Sequence, residues 1–276
     1  KNTTGKLKWN TNVNITFNRN IVNKLGTNNL PIGSFANPSG DFITVVGKPM
    51  GQFIGYIFDG VYMNQAEFNS QPKHSTSRVG SVRMKDISGP DGVPDGKIDV
   101  NDVTIIGNPN PKFIFGLTND FTYKQFDLSI HLAGSVGGKI LNQQLESYLL
   151  LDGLFNMDKS LLNLWRSEEN PGNGLVPRSM ASTSNLYRTN NSSWVFDGTY
   201  LTAKNISLGY THKFKTNKYL NRIRVFASVQ QAFVLTKYPG SNPEVSSSGL
   251  NGLSQGMDLG AYPVPRVISM GINLGL

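Results

Sequence analysis

A regular two-residue alternation at the end of the sequence constrains the fold more than any other feature. In the last eight residues, apolar side chains take every second position, and small or polar side chains take the positions between them. Successive side chains of a β-strand point to opposite faces of its sheet. The stretch therefore predicts a strand with one apolar and one polar face, formed by Met270, Ile272, Leu274 and Leu276 on one side and by Ser269, Gly271, Asn273 and Gly275 on the other.

The same alternation recurs earlier in the chain. Residues 9–18 set Trp, Thr, Val, Ile and Phe on one face against four asparagines and one threonine on the other. Asparagine is depleted from ordinary strands, whereas the water-filled interior of a barrel accommodates it. Residues 113–123 and 126–133 repeat the pattern on either side of a tight turn at Lys124-Gln125, so we predict a hairpin there. The pattern favours an all-β transmembrane barrel over a soluble β-sandwich, whose last strand could also alternate in this way.

Further strands are predicted at 52–60, 200–211, 223–235 and 264–276, which brings the count to about seven strands of roughly ten residues each. An odd number of strands does not close an ordinary bacterial barrel, and about seven strands would make a very small one. Residues 1–276 are therefore expected to form the C-terminal portion of a larger antiparallel barrel, without its plug and its N-terminal strands.

The connections between these strands are unequal in length. Turns near 124–125 and 211–221 are short, whereas three connections rich in Gly, Ser, Asn and Pro are long and are expected to be extracellular loops, at 63–111, 136–199 and 236–263. This asymmetry places the C-terminus in the periplasm. Segment 19–50 would then be a long connection on the periplasmic side. Apolar spacing predicts short helices on the second long loop, at 141–151 and 157–165.

Composition agrees with a surface that faces lipid on one side and water on the other. Charged residues make up 16% of the chain, against about 25% in typical soluble domains. There is no cysteine, which excludes disulfides and thiolate metal sites, and no apolar run of the length that a transmembrane helix needs. The net charge of +8 is spread over scattered Lys and Arg residues, so we expect contact with anionic lipid and no nucleic-acid partner.

Four motifs follow one another along the chain. The first two are the acidic stretch 91–102 and the segment 104–113, which reads TIIGNPNPKF. The other two are segment 197–210, which reads DGTYLTAKNISLGY, and the ending that begins with GAYPVPR at 260–266. In this order the motifs resemble the SusC/RagA family of TonB-dependent outer-membrane transporters. The resemblance extends from about residue 6 to residue 276, and because several motifs occur in the same order it is highly specific.

The resemblance implies a barrel of about 22 strands with a plugged lumen, of which this chain supplies roughly the last third. It also implies outer-membrane localisation in a Gram-negative cell, a plug and earlier barrel strands, and coupling to the TonB complex through the N-terminal part. A SusD-like surface lipoprotein would act as the lid, and the cargo would be an oligosaccharide or a peptide. By the same resemblance, the closing strand carries the assembly signal at Ser269, Gly271, Leu274 and Leu276, although family members commonly end in Phe rather than Leu.

The acidic loop is the only candidate metal site. Asp91, Asp95, Asp99 and Asp102 occupy positions 1, 5, 9 and 12 of a spacing like that of a calcium-binding EF-hand loop, with the Lys97 carbonyl at position 7. Val93 stands where a third oxygen ligand belongs, and Asp replaces the usual Glu at position 12. The sequence thus leaves two possibilities open, a structural Ca²⁺ that stiffens an external loop and a solvated acidic turn.

Loop aromatics are the candidate ligand-binding residues. Trp165, Tyr187, Trp194 and Phe196 lie in or beside the second long loop, where exposed rings would stack on sugars. The alternative, which the sequence favours for each ring, is that they form the cores of the loops or pack against the lid protein. His131 falls on the polar face of its strand and is a further candidate. The sequence shows no Gly-x-Ser-x-Gly elbow, no His-x-x-x-His pair and no nucleophile beside a base, so we expect no enzyme activity.

The sequence therefore favours a TonB-dependent importer of oligosaccharides or peptides. Two alternatives from other classes remain open at this point. One is a passive porin or adhesin-type barrel, which the odd strand number opposes. The other is a glycan-binding β-sandwich, which would need a second sheet to bury its apolar strand faces.

Overall fold

The computed structural model describes residues 5–35, 40–149, 156–179, 186–215, 219–249 and 251–276. Its strands in chain order are β1 (Leu7–Thr16), β2 (Phe42–Ile43), β3 (Gln52–Gly55), β4 (Phe58–Val61), β5 (Val82–Met84), β6 (Thr104–Gly107), β7 (Phe113–Tyr123), β8 (Phe126–Val136), β9 (Lys139–Asn142), β10 (Val195–Asp197), β11 (Tyr200–Lys213), β12 (Arg222–Gln230), β13 (Val234–Thr236), β14 (Met257–Asp258) and β15 (Val267–Gly275). The α-helices are α1 (Gln65–Ser70) and α2 (Gln144–Tyr148), and single 3₁₀ turns occur at Val100–Asp102, Lys159–Asn163, Leu186–Arg188 and Ser192–Trp194.

One large antiparallel sheet organises the molecule. Its strands follow the order β1-β7-β8-β11-β12-β15, and β13 pairs with the beginning of β11. The predicted hairpin is confirmed, since Tyr123 pairs with Phe126 across the Lys124-Gln125 turn. Lys124 adopts a φ of +54°, the left-handed conformation that such a two-residue turn demands. The order is that of an up-and-down barrel wall, in which neighbours in sequence are neighbours in space.

The apolar face of the large sheet is continuous across its width. Strand pairing places six residues side by side in one row, namely Trp9, Phe121, Leu128, Leu208, Ala227 and Met270. At one edge the Trp9 ring stacks on Phe121 with a centroid distance of 5.7 Å. At the other edge Met270 and Ile272 are 82% and 66% exposed. A water-facing protein rarely leaves so broad an apolar surface uncovered, so this face is suited to lipid.

All long connections leave the sheet from the same end. Segments 17–112, 137–199 and 237–266 join strands there, and their described residues form what we call the loop cap. The cap has three small cores of its own, grouped around Ile54, Leu141 and Ile140. Its minor sheets pair β3 with β2 and β6, β4 with β5, and β9 with β10 and β14. The opposite end of the sheet carries the short turns.

Two strand predictions were wrong in ways that have a physical cause. Segment 52–60 is not a wall strand, because it divides into β3 and β4 of the cap, and all four residues of β3 are buried. Its apolar residues are packed on both sides, so they show no alternation with polar residues. Segment 19–50 therefore belongs to the same connection as the cap rather than to the opposite end. Segment 223–235 divides into β12 and β13 near Gln231, whose φ is +50°.

The two helices predicted on the second loop are shorter than expected. Around the first position the structure has β9 followed by the five-residue α2, and around the second it has the 3₁₀ turn Lys159–Asn163. Residues 150–155 lie outside the described part of the chain. Among the described residues, no helix has the length and apolarity needed to cross a membrane.

Candidate functional site: the polar sheet face and the loop cap

A polar row runs across the whole width of the large sheet, on the face opposite the apolar row. Strand pairing places side by side Asn10, Asp120, Ser129, Ser207, Ser228 and Ser269. Ser129 Oγ donates to Asp120 Oδ1 at 2.7 Å. Hydroxyl, amide and carboxylate groups can exchange hydrogen bonds with water or with a polar ligand. The sheet thus presents a continuous hydrogen-bonding track.

A second polar row lies two residues closer to the cap along each strand, and it contains the predicted residue His131. It aligns Asn12, Thr118, His131, Asn205 and Gln230. His131 is half-buried, and its Nδ1 lies 2.9 Å from Thr118 Oγ1. This contact fixes the orientation of the ring and leaves the Nε2 edge as the part that can meet a ligand. The structure therefore places His131 on the polar face, as its position in the alternation predicts.

An ion pair crosses the polar face nearer to the short turns. Arg224 Nη2 lies 2.5 Å from Asp127 Oδ2, and Arg224 Nε donates to Asp127 Oδ1 at 3.1 Å. The strand between them contributes Gly209, where an added Cβ would lie 2.5 Å from Arg224 Nη2 and 2.6 Å from Asp127 Oδ1. A Cβ at this position would therefore displace the ion pair, whose two side chains lie over the Gly209 Cα.

The residues of the expected assembly signal are divided between the two faces of β15. Ser269 ends the polar row, and Gly271 lies under the Phe226 ring, whose Cε1 would be 2.6 Å from an added Cβ. Leu274 pairs with Ile223 on the apolar face, and both Leu274 and Leu276 are exposed. The alternation predicted for the tail is confirmed, and its role in assembly stays a prediction.

The acidic loop does not bring its carboxylates together. Asp102 is fully buried, and its carboxylate accepts the backbone N–H groups of Ile87, Ser88 and Asp99. Asp99 in turn accepts Asn101 N–H, so the two aspartates form a reciprocal cap on the turn that follows.

The other members of the predicted metal set lie at the surface. Asp95 accepts Lys97 N–H, and Asp91 and Lys97 are exposed. Within the described residues, no three His, Asp or Glu side chains form a group that could hold a metal ion. Calcium binding at this loop stays an untested prediction, and what the structure shows is a loop organised by carboxylates that bind backbone N–H groups.

The exposure expected for two of the loop aromatics was wrong. Trp165 is 7% exposed and donates from Nε1 to the Met63 carbonyl at 3.0 Å, while Trp194 is 3% exposed. Both rings are core residues of the cap, because connections of this length fold on themselves and bury their own aromatics. Phe196 is half-buried, with Tyr238 edge-on to its ring at 5.9 Å. The side chain of Tyr187 lies outside the described part of the chain.

Buried polar clamps that the sequence did not single out hold the cap segments together. Asp258 is fully buried and accepts from Tyr238 Oη at 2.5 Å, from Gln144 Nε2 at 2.9 Å, and from the N–H groups of Gly260 and Ala261. Burial by itself raises the pKa of the Asp258 carboxyl, but these hydrogen bonds outweigh it and hold the pKa below its usual value.

A second clamp is built on Asp41, which accepts from Gln143 Nε2 and from Asn190 Nδ2. The two clamps connect all three long segments of the cap. No spacing rule could have found them, because each is an isolated acid whose partners come from distant parts of the sequence.

Comparison with known proteins gives a consistent result. No protein-family model matches the chain. Among curated proteins it is 33% identical over 239 residues to the TonB-dependent receptor P3 and 27% identical over 280 residues to the TonB-dependent receptor P26, both of Formosa agariphila. It is 26% identical over 271 residues to the TonB-dependent receptor SusC of Bacteroides thetaiotaomicron.

These alignments cover 83%, 98% and 96% of this chain, but only 22%, 27% and 24% of the relatives. The chain thus spans about a quarter of the length of the curated relatives that it matches. These relatives are named as receptors and not as enzymes.

Solved structures show the same fold. The RagAB peptide transporter superposes with a TM-score of 0.76 at 19% identity, covering 99% of this chain and 28% of that one. The RagAB peptide importer in its open-open state gives a TM-score of 0.75, with coverage of 99% and 27%. The large sheet and its cap therefore have the architecture of a section of that barrel.

Proposed function

This chain is a barrel section of a TonB-dependent receptor of the SusC/RagA family, and from that premise we propose that the complete protein imports oligosaccharides or peptides across the outer membrane. The observation that carries the proposal is the pair of unlike faces on one sheet, with every long connection at one end. The apolar row would face lipid, and the polar rows would face the lumen. The loop cap would lie outside the cell, with the C-terminus in the periplasm.

The polar rows would contact cargo on its way through the lumen. Serine, asparagine and threonine side chains suit a polar solute, since they offer both donors and acceptors. We place His131 among these contacts, because Thr118 holds its ring in one orientation on the polar face. The buried rings of Trp165 and Trp194 are excluded from direct contact with cargo, whereas half-buried Phe196 remains a candidate.

The proposed partners follow from family membership. A SusD-like lipoprotein would close over the loop cap, which offers it a folded platform. The plug and the remaining strands would complete the barrel, with β1 and β15 each pairing with a further strand. The TonB complex would supply energy through the N-terminal part of the receptor. In the described residues β1 and β15 pair on one side only, and unpaired strand edges are not tolerated in a membrane.

The proposal is tested by uptake measurements on the full-length receptor in cells with and without TonB. Labelled oligosaccharides and labelled peptides are supplied separately, and the cargo that enters only when TonB is present identifies the substrate class. We expect His131→Ala to lower uptake, and His212→Ala to leave it unchanged because His212 lies on the apolar-face side of β11. Uptake that is equal without TonB would favour a passive porin instead.

The other alternative, a glycan-binding β-sandwich, finds no support in the fold. A sandwich buries one face of each sheet against a second sheet at about 10 Å. Here the outer residues of the apolar rows are exposed on β1 and β15, and the minor sheets belong to the cap.

A further inference from the structure

A cavity in the first cap segment has the wrong charge for the expected metal and the right charge for an anion. It has a volume of about 400 Å³ and is lined by Lys73, His74, Ser75, Ser77, Lys97 and Asp99. Two ammonium groups against one carboxylate give it a net positive charge. We propose that this cavity, which we call the dibasic pocket, binds an anionic group of the cargo, either a carboxylate or a sulfate.

The backbone fixes the two lysines opposite each other. Lys73 and Lys97 are partners in a parallel bridge, and Ile98 N–H donates to the Lys73 carbonyl at 3.2 Å. Paired residues on neighbouring strands project to the same side, and like charges that face each other directly destabilise the pair. An anion between the two ammonium groups would remove that repulsion. The bridge thus brings the two lysine backbones side by side at the wall of the pocket.

Lys73 is held in a fixed position at the wall of the pocket. Its Nζ donates to the carbonyls of Phe68 and Asn69 at 2.9 and 3.3 Å, and it lies 4.8 Å from the centre of the Phe68 ring. An ammonium group has three N–H donors, so one remains to meet a ligand. Because the side chain is already ordered, binding costs less conformational entropy than it would for a free lysine.

His74 supplies a further donor beside the lysines. Its Nδ1 lies 3.2 Å from the Thr76 nitrogen and 2.8 Å from Thr76 Oγ1. A backbone N–H can only donate, so Nδ1 accepts and Nε2 carries the proton in the neutral ring. Together with the exposed Ser75 hydroxyl and the exposed Lys97 ammonium, the pocket has more donors than acceptors. That excess matches a carboxylate or sulfate, which has only acceptors.

The single acid of the pocket does not cancel this preference. Asp99 lies two residues after Lys97, and its Oδ1 already accepts Asn101 N–H. Its role as the cap of the following turn keeps it in place whether or not a ligand is bound. An anion would therefore bind on the side of the lysines, with Asp99 setting one boundary of the pocket and disfavouring ligands with two adjacent charges.

This inference rests on the proposed function in placing the pocket on the outside of the receptor and in identifying the ligand as cargo, and binding tests it separately from transport. The full-length receptor is purified in detergent, and calorimetry measures its binding of tri-galacturonate, a sulfated galactose disaccharide, neutral maltotriose, and tri-alanine with a free or an amidated C-terminus. We expect at least one anionic probe to bind more tightly than its neutral counterpart, and added salt to weaken that binding.

The matched variants are Lys97→Gln in the pocket and Lys24→Gln, which removes an exposed lysine elsewhere in the cap. Lys97→Gln removes one charged hydrogen bond, so it should lower the affinity for the anionic probe roughly tenfold. The affinities for the neutral probes should not change. Lys24→Gln should match the wild type. The probe that responds identifies the source of the anion as uronate, sulfate or peptide carboxylate.

Two results would overturn the proposal. One is that charged and neutral probes bind equally, and the other is that Lys97→Gln behaves like Lys24→Gln for every probe. Because Lys97 is exposed, its replacement leaves the fold intact. Ser75→Ala is a second variant, which does not change the charge of the pocket. It should weaken the binding of the same probe to a smaller extent. TonB-independent uptake would refute the proposed function without changing these binding results.

Discussion

The Asp258 clamp gives the sharpest test of how the cap is stabilised. Replacing Asp258 with Asn keeps the size of the side chain and removes its charge, and it turns one acceptor oxygen into a donor. The amide oxygen can still accept the N–H groups of Gly260 and Ala261, but the amide nitrogen would face the Tyr238 hydroxyl. Tyr238 is buried, so its hydroxyl has little water to turn to.

The magnitude follows from the hydrogen bonds that change. A hydrogen bond to a charged group contributes about 1.5–3 kcal/mol, and the substitution removes the bond from Tyr238 while weakening those that remain. We expect a loss of roughly 3 kcal/mol in the local stability of segment 236–263, which corresponds to amide exchange about a hundredfold faster. The matched control is Asp158→Asn, because Asp158 is an exposed cap of a 3₁₀ turn, where Asn is an equally good capping residue.

The assay is hydrogen–deuterium exchange of the full-length receptor, read at peptides that span β9 and β14. Asp258→Asn should accelerate exchange in both, since Gln143 N–H donates to the Asp258 carbonyl and couples the two strands. Equal exchange in wild type, Asp258→Asn and Asp158→Asn would refute the reasoning.

The same clamp has a defined pH dependence. The pKa of Asp258 is lowered in the folded protein, so the charge stabilises the cap at every pH above the usual aspartate value. That stabilisation is lost as the pH falls through the lowered pKa of the folded state. We therefore expect the exchange difference between wild type and Asp258→Asn to persist at neutral pH and to disappear in strong acid.

Three further predictions test other parts of the structure. On the apolar face, Ile272→Arg should destabilise assembly by about 2–4 kcal/mol near the membrane midplane, whereas the neighbouring Asn273→Arg should have little effect, as measured by folding into lipid vesicles. On the polar face, Gly209→Val should displace the ion pair over it and lower the unfolding temperature of the barrel, followed by heat-modifiable gel mobility. In the acidic loop, Asp102→Asn should destabilise the cap even without calcium, because the Asp102 carboxylate binds three backbone N–H groups. A loss of stability that appears only when calcium is present would support the metal site instead.

Local periodicity is the part of the fold that the sequence could predict. The tail, the first strand and the hairpin at Lys124-Gln125 follow from alternation, because each lies in a sheet with one polar and one apolar face. The prediction failed at 52–60, where both sides of β3 are buried and no alternation exists. Trp194 was misplaced for a related reason, since loops are usually exposed but this cap has a core of its own.

The candidate sites depended on long-range contacts that spacing does not show. Asp102 lies at the expected interval of a calcium loop, yet its carboxylate binds backbone N–H groups from residues up to 15 positions away. Asp258 and Lys73 carry no sequence signal, because their partners come from distant segments. His131 could be placed on its face from alternation alone, since that face is a local property of the strand.

The central claim is that the large sheet has one face in lipid and one in the water of a barrel interior. This chain contains no cysteine, so once any cysteines in the rest of the receptor are replaced, single cysteines can carry spin labels at chosen positions. With the full-length receptor in vesicles, we would label Ile272→Cys and Asn273→Cys, which are neighbours on opposite faces of β15. The account predicts that the label at 272 is reached mainly by lipid-soluble oxygen and the label at 273 mainly by a water-soluble nickel complex. Equal accessibility at the two positions, or the reverse order, would contradict it.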